Sequence, residues 1–295
     1  MTGTYVKSPL LTLYDLHSHT TASDGVLTPS ELVARAVAMG VDVLAITDHD
    51  TVSGLAEASC AVERGSLALT LVPGVEISTQ WQNHEIHIVG LGFDAAHPAM
   101  SALLSAQREK RLARAKMIAQ RLEHAGIPDA WQGANRFAED ELVTRGHFAR
   151  YLVSIGVADS MAKVFKKYLS KGKTGYVPPQ WCTIPEAILA VQQSGGQAVV
   201  AHPGRYQLSP KWLKRLLDDF ASAGGDGMEV AMCQQSPQEK TVLAGYARER
   251  ELFASQGSDF HQPCAWIELG RKLWLPGGVE PIWRDWPVAR RNLSV

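Results

Sequence analysis

The chain has 295 residues, 45% hydrophobic and 20% charged, enough to bury one large α/β core or such a core carrying an insertion. It contains no run approaching the ~20 apolar residues of a membrane helix, and its first 16 residues lack the apolar stretch of a signal peptide, so a cytoplasmic protein without membrane attachment is expected. The net charge of −1 hides a division: residues 1–99 hold three Lys/Arg against 11 Asp/Glu, residues 100–175 hold 14 against seven, and the remainder is balanced.

The first β-rich run, LLTLYDL (10–16), leads into His17 and His19, then Asp24 and Gly25. Residues i and i+2 of an extended strand share a face. Two imidazoles on one face with a carboxylate following suit a metal; ordinary hydrogen bonding at a strand end is the other reading. Thr28-Pro29-Ser30-Glu31 is a capping box with proline at the first helical position, and Gly40 closes that helix. VDVLAIT (41–47) runs into Asp48-His49-Asp50, where Asp50 reads as the cap of the next helix. LALTLVPG (67–74) precedes Glu76, and EIHIVGLGF (85–93) contains His87, read as lying at the strand's C-terminal end.

Residues 95–180 break the alternation with an amphipathic helix near 100–125, then EDELVTRGHFARYLVSIG and SMAKVFKKYLSKG. They read as a small helical insertion, and its surplus of Lys and Arg suits a polyanion as well as a solvated face. Strands resume at GQAVVAH (196–202), ending in His202, at GMEVAM (227–232), which supplies no candidate, and at ELFASQGS (251–258), which precedes Asp259 and His261. Thr183–Glu186 repeats the capping box, and Ser209-Pro210 and Ser236-Pro237 begin further helices.

Near-continuous apolar strands alternating with helices predict a parallel sheet covered by helices. Seven runs with polar residues at their C-terminal ends favour a barrel, whose active site forms there. No Gly-rich dinucleotide motif follows the first strand. His17, His19, Asp24, His49, Glu76, His87, His202, Asp259 and His261 would then converge. A ligand set without thiolate suits Zn²⁺, Mn²⁺ or Fe²⁺. His84, His97 and His124 read as surface or loop residues. Cys60, Cys182, Cys233 and Cys264 read as reduced packing thiols.

DLHSHTTASDG, AITDHDT, PGVEIS, EIHIVGLGF, AHPGRY and GSDFH, in that order, resemble the motifs of the PHP (polymerase and histidinol phosphatase) phosphoesterases. REKRLARAKMIAQRLEHAG, VTRGHFARYL and GKTGYVPPQW are similar to the branch containing ribonuclease AM and the nucleoside 3′,5′-bisphosphate phosphatases. One departure is Gly146, where the branch leads us to expect proline. The resemblance implies a distorted (β/α)₇ barrel formed by residues 1–95 and 180–295, with 96–179 as a basic helical insertion touching substrate. It also implies three divalent ions, Mn²⁺ first and Fe²⁺ or Zn²⁺ as alternatives. His17, His19, Glu76 and Asp259 would hold one; Glu76, His87 and His202 a second; Asp24, His49 and His261 a third.

Such a site implies attack by a hydroxide bridging two metals, without a serine or cysteine nucleophile. Arg145, His147 and Arg205, with Arg111 and Arg114 if these are not simply solvated, would hold a second phosphate, and Tyr176 and Trp181 would stack on a base or pack in the core. The expected activity is 5′→3′ exonuclease action on 5′-phosphorylated RNA or short oligonucleotides, with DNA as a further substrate, releasing 5′-mononucleotides. Removal of the 3′-phosphate of nucleoside 3′,5′-bisphosphates is the alternative. A non-catalytic metal- or nucleic-acid-binding module is the alternative of another class. An obligate protein partner is not evident.

Overall fold

The computed structural model describes residues 12–138 and 143–287. The expected strand 10–16 and the segment EDELVTRGHFARYLVSIG therefore lie partly outside the described residues. Seven strands neighbour one another in the order β1 (Tyr14–Asp15), β2 (Val43–Ile46), β3 (Thr70–Trp81), β4 (His84–Leu91), β6 (Gln197–Val200), β7 (Gly227–Ala231) and β8 (Phe253–Gln256). The short β5 (Cys182–Thr183) pairs with the far end of β3. The ring is drawn together where Leu16 N donates to Gln256 O, Asp259 N to His17 O, and Ser18 bridges to Phe260. This is the expected distorted barrel.

Its strands are not all parallel. β3 overruns the predicted run by seven residues and turns directly into β4, so β4 is antiparallel to both β3 and β6. No helix separates them, because a two-residue turn at Gln82 and Asn83 can join antiparallel strands and not parallel ones. Reversal also corrects the placement of His87. It lies in the first half of β4, and only because that strand runs backwards does this half reach the C-terminal mouth of the barrel.

Helices α1 (Pro29–Ala38), α2 (Gly54–Arg64), α7 (Ile184–Gln193), α8 (Pro210–Ser222) and α9 (Pro237–Arg248) cover the sheet. The expected capping boxes form at Thr28/Glu31 and Thr183/Glu186, Ser209 caps α8 as expected, and Ser236, expected only as a helix start, forms a third box with Glu239. Between β4 and β5 stand α3 (Pro98–His124), α4 (Ala130–Asn135), α5 (Arg145–Ser154) and α6 (Met161–Val164). These share a hydrophobic cluster of their own around Ile118, Leu122, Phe148, Leu152 and Val164. The same helix α3 buries Met100 and Leu104 in the main barrel cluster, so one element serves both cores. No helix of the described residues is long and apolar enough to cross a membrane.

Candidate metal centre

β1 continues in extended form past Asp15, and this sets His17 and His19 side by side. Their Nε2 atoms lie 3.1 Å apart. Ser18 points the other way and donates to Ala45 O at 2.7 Å. The turn that carries Asp24 is tied down by Asp48, which accepts from Thr20 N, Thr20 Oγ1 and Ser23 Oγ. Gly25 and Gly257 are required by close approach: a Cβ on the first would meet His19 O at 2.5 Å, and one on the second would meet His17 Cβ at 2.3 Å. His202 and Asp259 sit at φ +29 and +53, a backbone strain that collects at functional sites.

Glu76 stands in the middle. Its Oε1 is 2.7 Å from His87 Nδ1 and 2.8 Å from His202 Nε2; its Oε2 is 3.1 Å from His49 Nδ1 and 3.3 Å from both His17 and His19 Nε2. Asp259 Oδ1 lies 3.4, 3.2 and 3.6 Å from His17, His19 and His261. Asp24 Oδ1 is 3.3 Å from His261 Nε2 and 3.8 Å from His49 Nε2. All nine expected side chains therefore meet. Their donor atoms fall into three groups: His17, His19, Glu76 and Asp259; His49, Glu76 and His87; and His19, Asp24, His49 and His261. This grouping differs from the expected one: His49, which faces Glu76 with Nδ1 and Asp24 with Nε2, stands in the second group where His202 was expected, His202 meets Glu76 but falls in none of the three groups, and His19 stands near Asp24 as well.

These residues fit divalent cations. Asp24 Oδ1, His49 Nδ1 and Glu76 Oε2 are buried without a hydrogen-bond partner, a costly state for polar atoms. Burial raises Glu76, Asp24 and Asp259, yet the surrounding imidazoles hold all three well below the carboxylate range. Burial likewise opposes charge on His19, and Asp259 and Glu76 overcome it, raising it to about 10; His49 is pushed down by burial to about 3. The carboxylates thus draw protons onto some imidazoles as counter-charge, a role a cation fills.

The pocket above these groups, of ≈ 400 Å³, is also lined by Arg111, Arg114, Arg145, Arg150 and Arg205. Arg111 and Arg114 are buried, not solvated. Arg111 Nε donates to Asp50 Oδ2 at 2.8 Å, which corrects the expected role of Asp50: it holds an arginine and Ser78 N, while Ser53 stands at the start of α2. Glu85 binds Arg145 at 3.0 Å, Arg114 at 3.4 Å and Trp181 Nε1 at 2.7 Å. Trp181 lies 4.9 and 5.1 Å from the Arg111 and Arg114 guanidinium carbons, so it supports the arginines. Tyr176 does not line this pocket.

His147 is buried and accepts from Thr144 N at 3.1 Å as part of the α5 cap, and burial lowers its pKa to about 4. Arg205 pairs with Asp259, and Arg150 donates to Asp24 O. The residues missed by sequence reasoning are Arg150, Glu85 and Glu229. Glu229 accepts from His17 Nδ1 at 2.7 Å and from His202 N, orienting two candidate ligands. Its only sequence signal is a lone acid inside the apolar run GMEVAM. Of the remaining histidines, His124 is exposed and His97 caps α3. Among the thiols Cys60 is exposed, so it is not a packing group.

A barrel whose mouth gathers imidazoles and carboxylates in three contiguous groups, facing an arginine wall, belongs to the multi-metal hydrolases of phosphate esters. Residues 15–171 match the PHP domain, and the chain is a member of the PHP family. It is 65% identical to the 5′-3′ exoribonuclease Rnm of Salmonella typhimurium over 93% of this chain and 94% of that one. It is 45% identical to the 3′,5′-nucleoside bisphosphate phosphatase of Chromobacterium violaceum over 92% and 95%. A solved amidohydrolase from the same organism, with bound sulfate and no metal, superposes with a TM-score of 0.87 at 43% identity, covering 95% of this chain and 97% of that one.

Proposed function

We propose that the protein is a 5′→3′ exoribonuclease that releases 5′-mononucleotides from 5′-phosphorylated RNA and also accepts DNA. Three divalent ions serve it, Mn²⁺ in the first place, with Fe²⁺ or Zn²⁺ as substitutes. His17, His19, Glu76 and Asp259 hold the first, Glu76, His87 and His202 the second, and Asp24, His49 and His261 the third. The reading is carried by one observation: a single pocket is lined both by candidate ligands and by five arginines.

Divalent ions bound there lower the pKa of water and stabilise the oxygens of an in-line displacement at phosphorus. The protein's own groups do the rest. Glu229 fixes the His17 ring, Glu85 aims Arg145, and Arg145 with Arg205 grips the terminal 5′-phosphate through planar guanidinium forks. That grip sets the next phosphate along the strand, on the 3′-oxygen of the same nucleotide, over the ligands. The segment 96–179 supplies Arg111, Arg114, Arg145 and Arg150 and acts as the substrate-contacting insertion.

Hydrolysis of nucleoside 3′,5′-bisphosphates is the second reading. It is favoured by the 45% identity to such a phosphatase and by the chemistry, since both reactions cleave the 3′ P–O bond beside a 5′-phosphate. The test is a double-mutant cycle with metal-loaded protein. Arg145→Ala should lower kcat/KM for 5′-phosphorylated RNA about tenfold to a hundredfold, as expected for a charged hydrogen bond of about 1.5–3 kcal/mol. Metal content should be normal, and the already slow 5′-hydroxyl strand should lose little more. An equal loss on both strands removes Arg145 from 5′-end recognition, and release of no mononucleotide from either strand removes the exoribonuclease reading.

A further inference from the structure

The bisphosphate reading needs only the arginine-lined pocket, but a strand of RNA has a body that must go somewhere. The loop after β8 links the two places. Gln262, Cys264 and Ile267 line the metal pocket, while their chain neighbours Ala265 and Trp266 line a groove outside it with Arg271, Lys272 and Trp274.

Trp266 is 73% exposed and Trp274 44%. Two indoles left in water on one groove are a cost unless something covers them. Their surroundings are ordered: Arg271 donates to Ala265 O at 2.7 Å, and the Lys240 ammonium sits 4.7 Å from the Trp274 ring centroid. Arg271 and Lys272 are exposed. Among the described residues lining this groove, Lys240, Arg271 and Lys272 outnumber the one acid, Glu239, so its net charge is positive.

We propose that this groove is a binding track for single-stranded RNA on the 3′ side of the scissile phosphate, with bases stacking on Trp266 and Trp274 and the backbone passing Arg271 and Lys272. Exposed aromatics beside cations are the sequence-tolerant way to hold a single strand, because every base has a π-face. The track is joined to the metal pocket through residues 262–267, which contribute to the lining of both. The proposal rests on the exoribonuclease reading and extends it: the track distinguishes a strand from a mononucleotide, since only a strand has nucleotides on the 3′ side of the scissile phosphate.

The experiment compares Trp266→Ala, Trp274→Ala and Trp266→Phe with the unsubstituted, Mn²⁺-loaded protein on two substrates, a 5′-phosphorylated RNA of about ten nucleotides and adenosine 3′,5′-bisphosphate. Trp266→Ala should raise KM for the strand about tenfold, in line with one lost stacking contact, and Trp266→Phe should restore most of it. The bisphosphate should be unaffected by all three. Equal losses on both substrates mean that Trp266 supports the loop and overturn the track. So does a strand KM that Trp266→Ala leaves unchanged, or a concentration-dependent increase in mass that this variant abolishes, which would mark a second copy as the occupant. If the unsubstituted protein cleaves the bisphosphate but not the strand, the exoribonuclease reading itself falls and takes the track with it.

Discussion

Glu229 and Glu85 show how much of this site depends on acids that hold other side chains in place. Glu229 is fully enclosed and spans two strand ends, with one oxygen on the His17 ring and the other on the His202 backbone. Glu229→Gln should leave the fold intact and lower metal affinity or turnover about tenfold to a hundredfold, as loss of a partner behind a ligand does; elemental analysis beside an activity assay reads it. Glu85 gives a pH dependence. Burial raises its pKa, but Arg145 and Arg114 outweigh burial and hold it below the carboxylate range. A depressed carboxyl contributes stability above its unfolded pKa, and that contribution is lost as pH falls towards its folded value. Thermal unfolding followed from pH 7 downwards should therefore fall less steeply in Glu85→Gln than in the unsubstituted protein. The same slope in both would mean that the Arg145–Glu85–Arg114 arrangement adds nothing to stability. Neither acid was legible beforehand, because a lone Glu in an apolar strand has no partner until the sheet supplies one.

The elements differ in how far their sequence discloses them. Capped helices such as α1, α7 and α9 carry their start signals within four residues, so Thr28, Thr183 and Ser236 could be read directly. Strand ends rich in His and Asp were equally plain. The β3–β4 hairpin was not, because its apolar alternation is the same whichever way a strand runs, and direction is set by a turn of only two residues. Asp50 illustrates the same limit: an acid just ahead of a helix looks like a cap, and only tertiary packing turns it towards Arg111. α5 lies between these cases. Thr144 caps it by accepting from Gly146 N at 3.1 Å, a bond that a proline at 146 would lack. Gly146 therefore keeps a donor where a proline was expected. Thr144→Ala should cost about 1 kcal/mol, read as a fall of about 2–4 °C in Tm. It should also raise KM for 5′-phosphorylated strands, since Arg145 is the first residue of the helix. An unchanged Tm would mean that the cap adds nothing to the helix.

At the scale of the whole molecule, the charge division in the sequence becomes a spatial one. The acidic first part supplies Asp24 and Glu76 to the centre, and the basic segment supplies four of the five arginines that face it. Divalent ions at the centre bind the folded chain alone, so they should stabilise it by mass action. Chelation should abolish activity and lower Tm, and Mn²⁺ should restore both. A Tm indifferent to metal would count against the assignment of the nine ligands.

The ring of strands closes only where residues near the start of the chain meet residues near its end, at Leu16 with Gln256 and His17 with Asp259. His17 and His19 precede Asp259 and His261 by 240 residues or more. During synthesis, then, a nascent chain that stops short of Asp259 holds seven of the nine candidate ligands and lacks the two that complete the groups around His17 and Asp24. A polypeptide released before Asp259 should bind no metal at the His17–His19 pair and cut no RNA. The complete set of candidate ligands therefore exists only after the segment that follows β8 has docked against the one that follows β1.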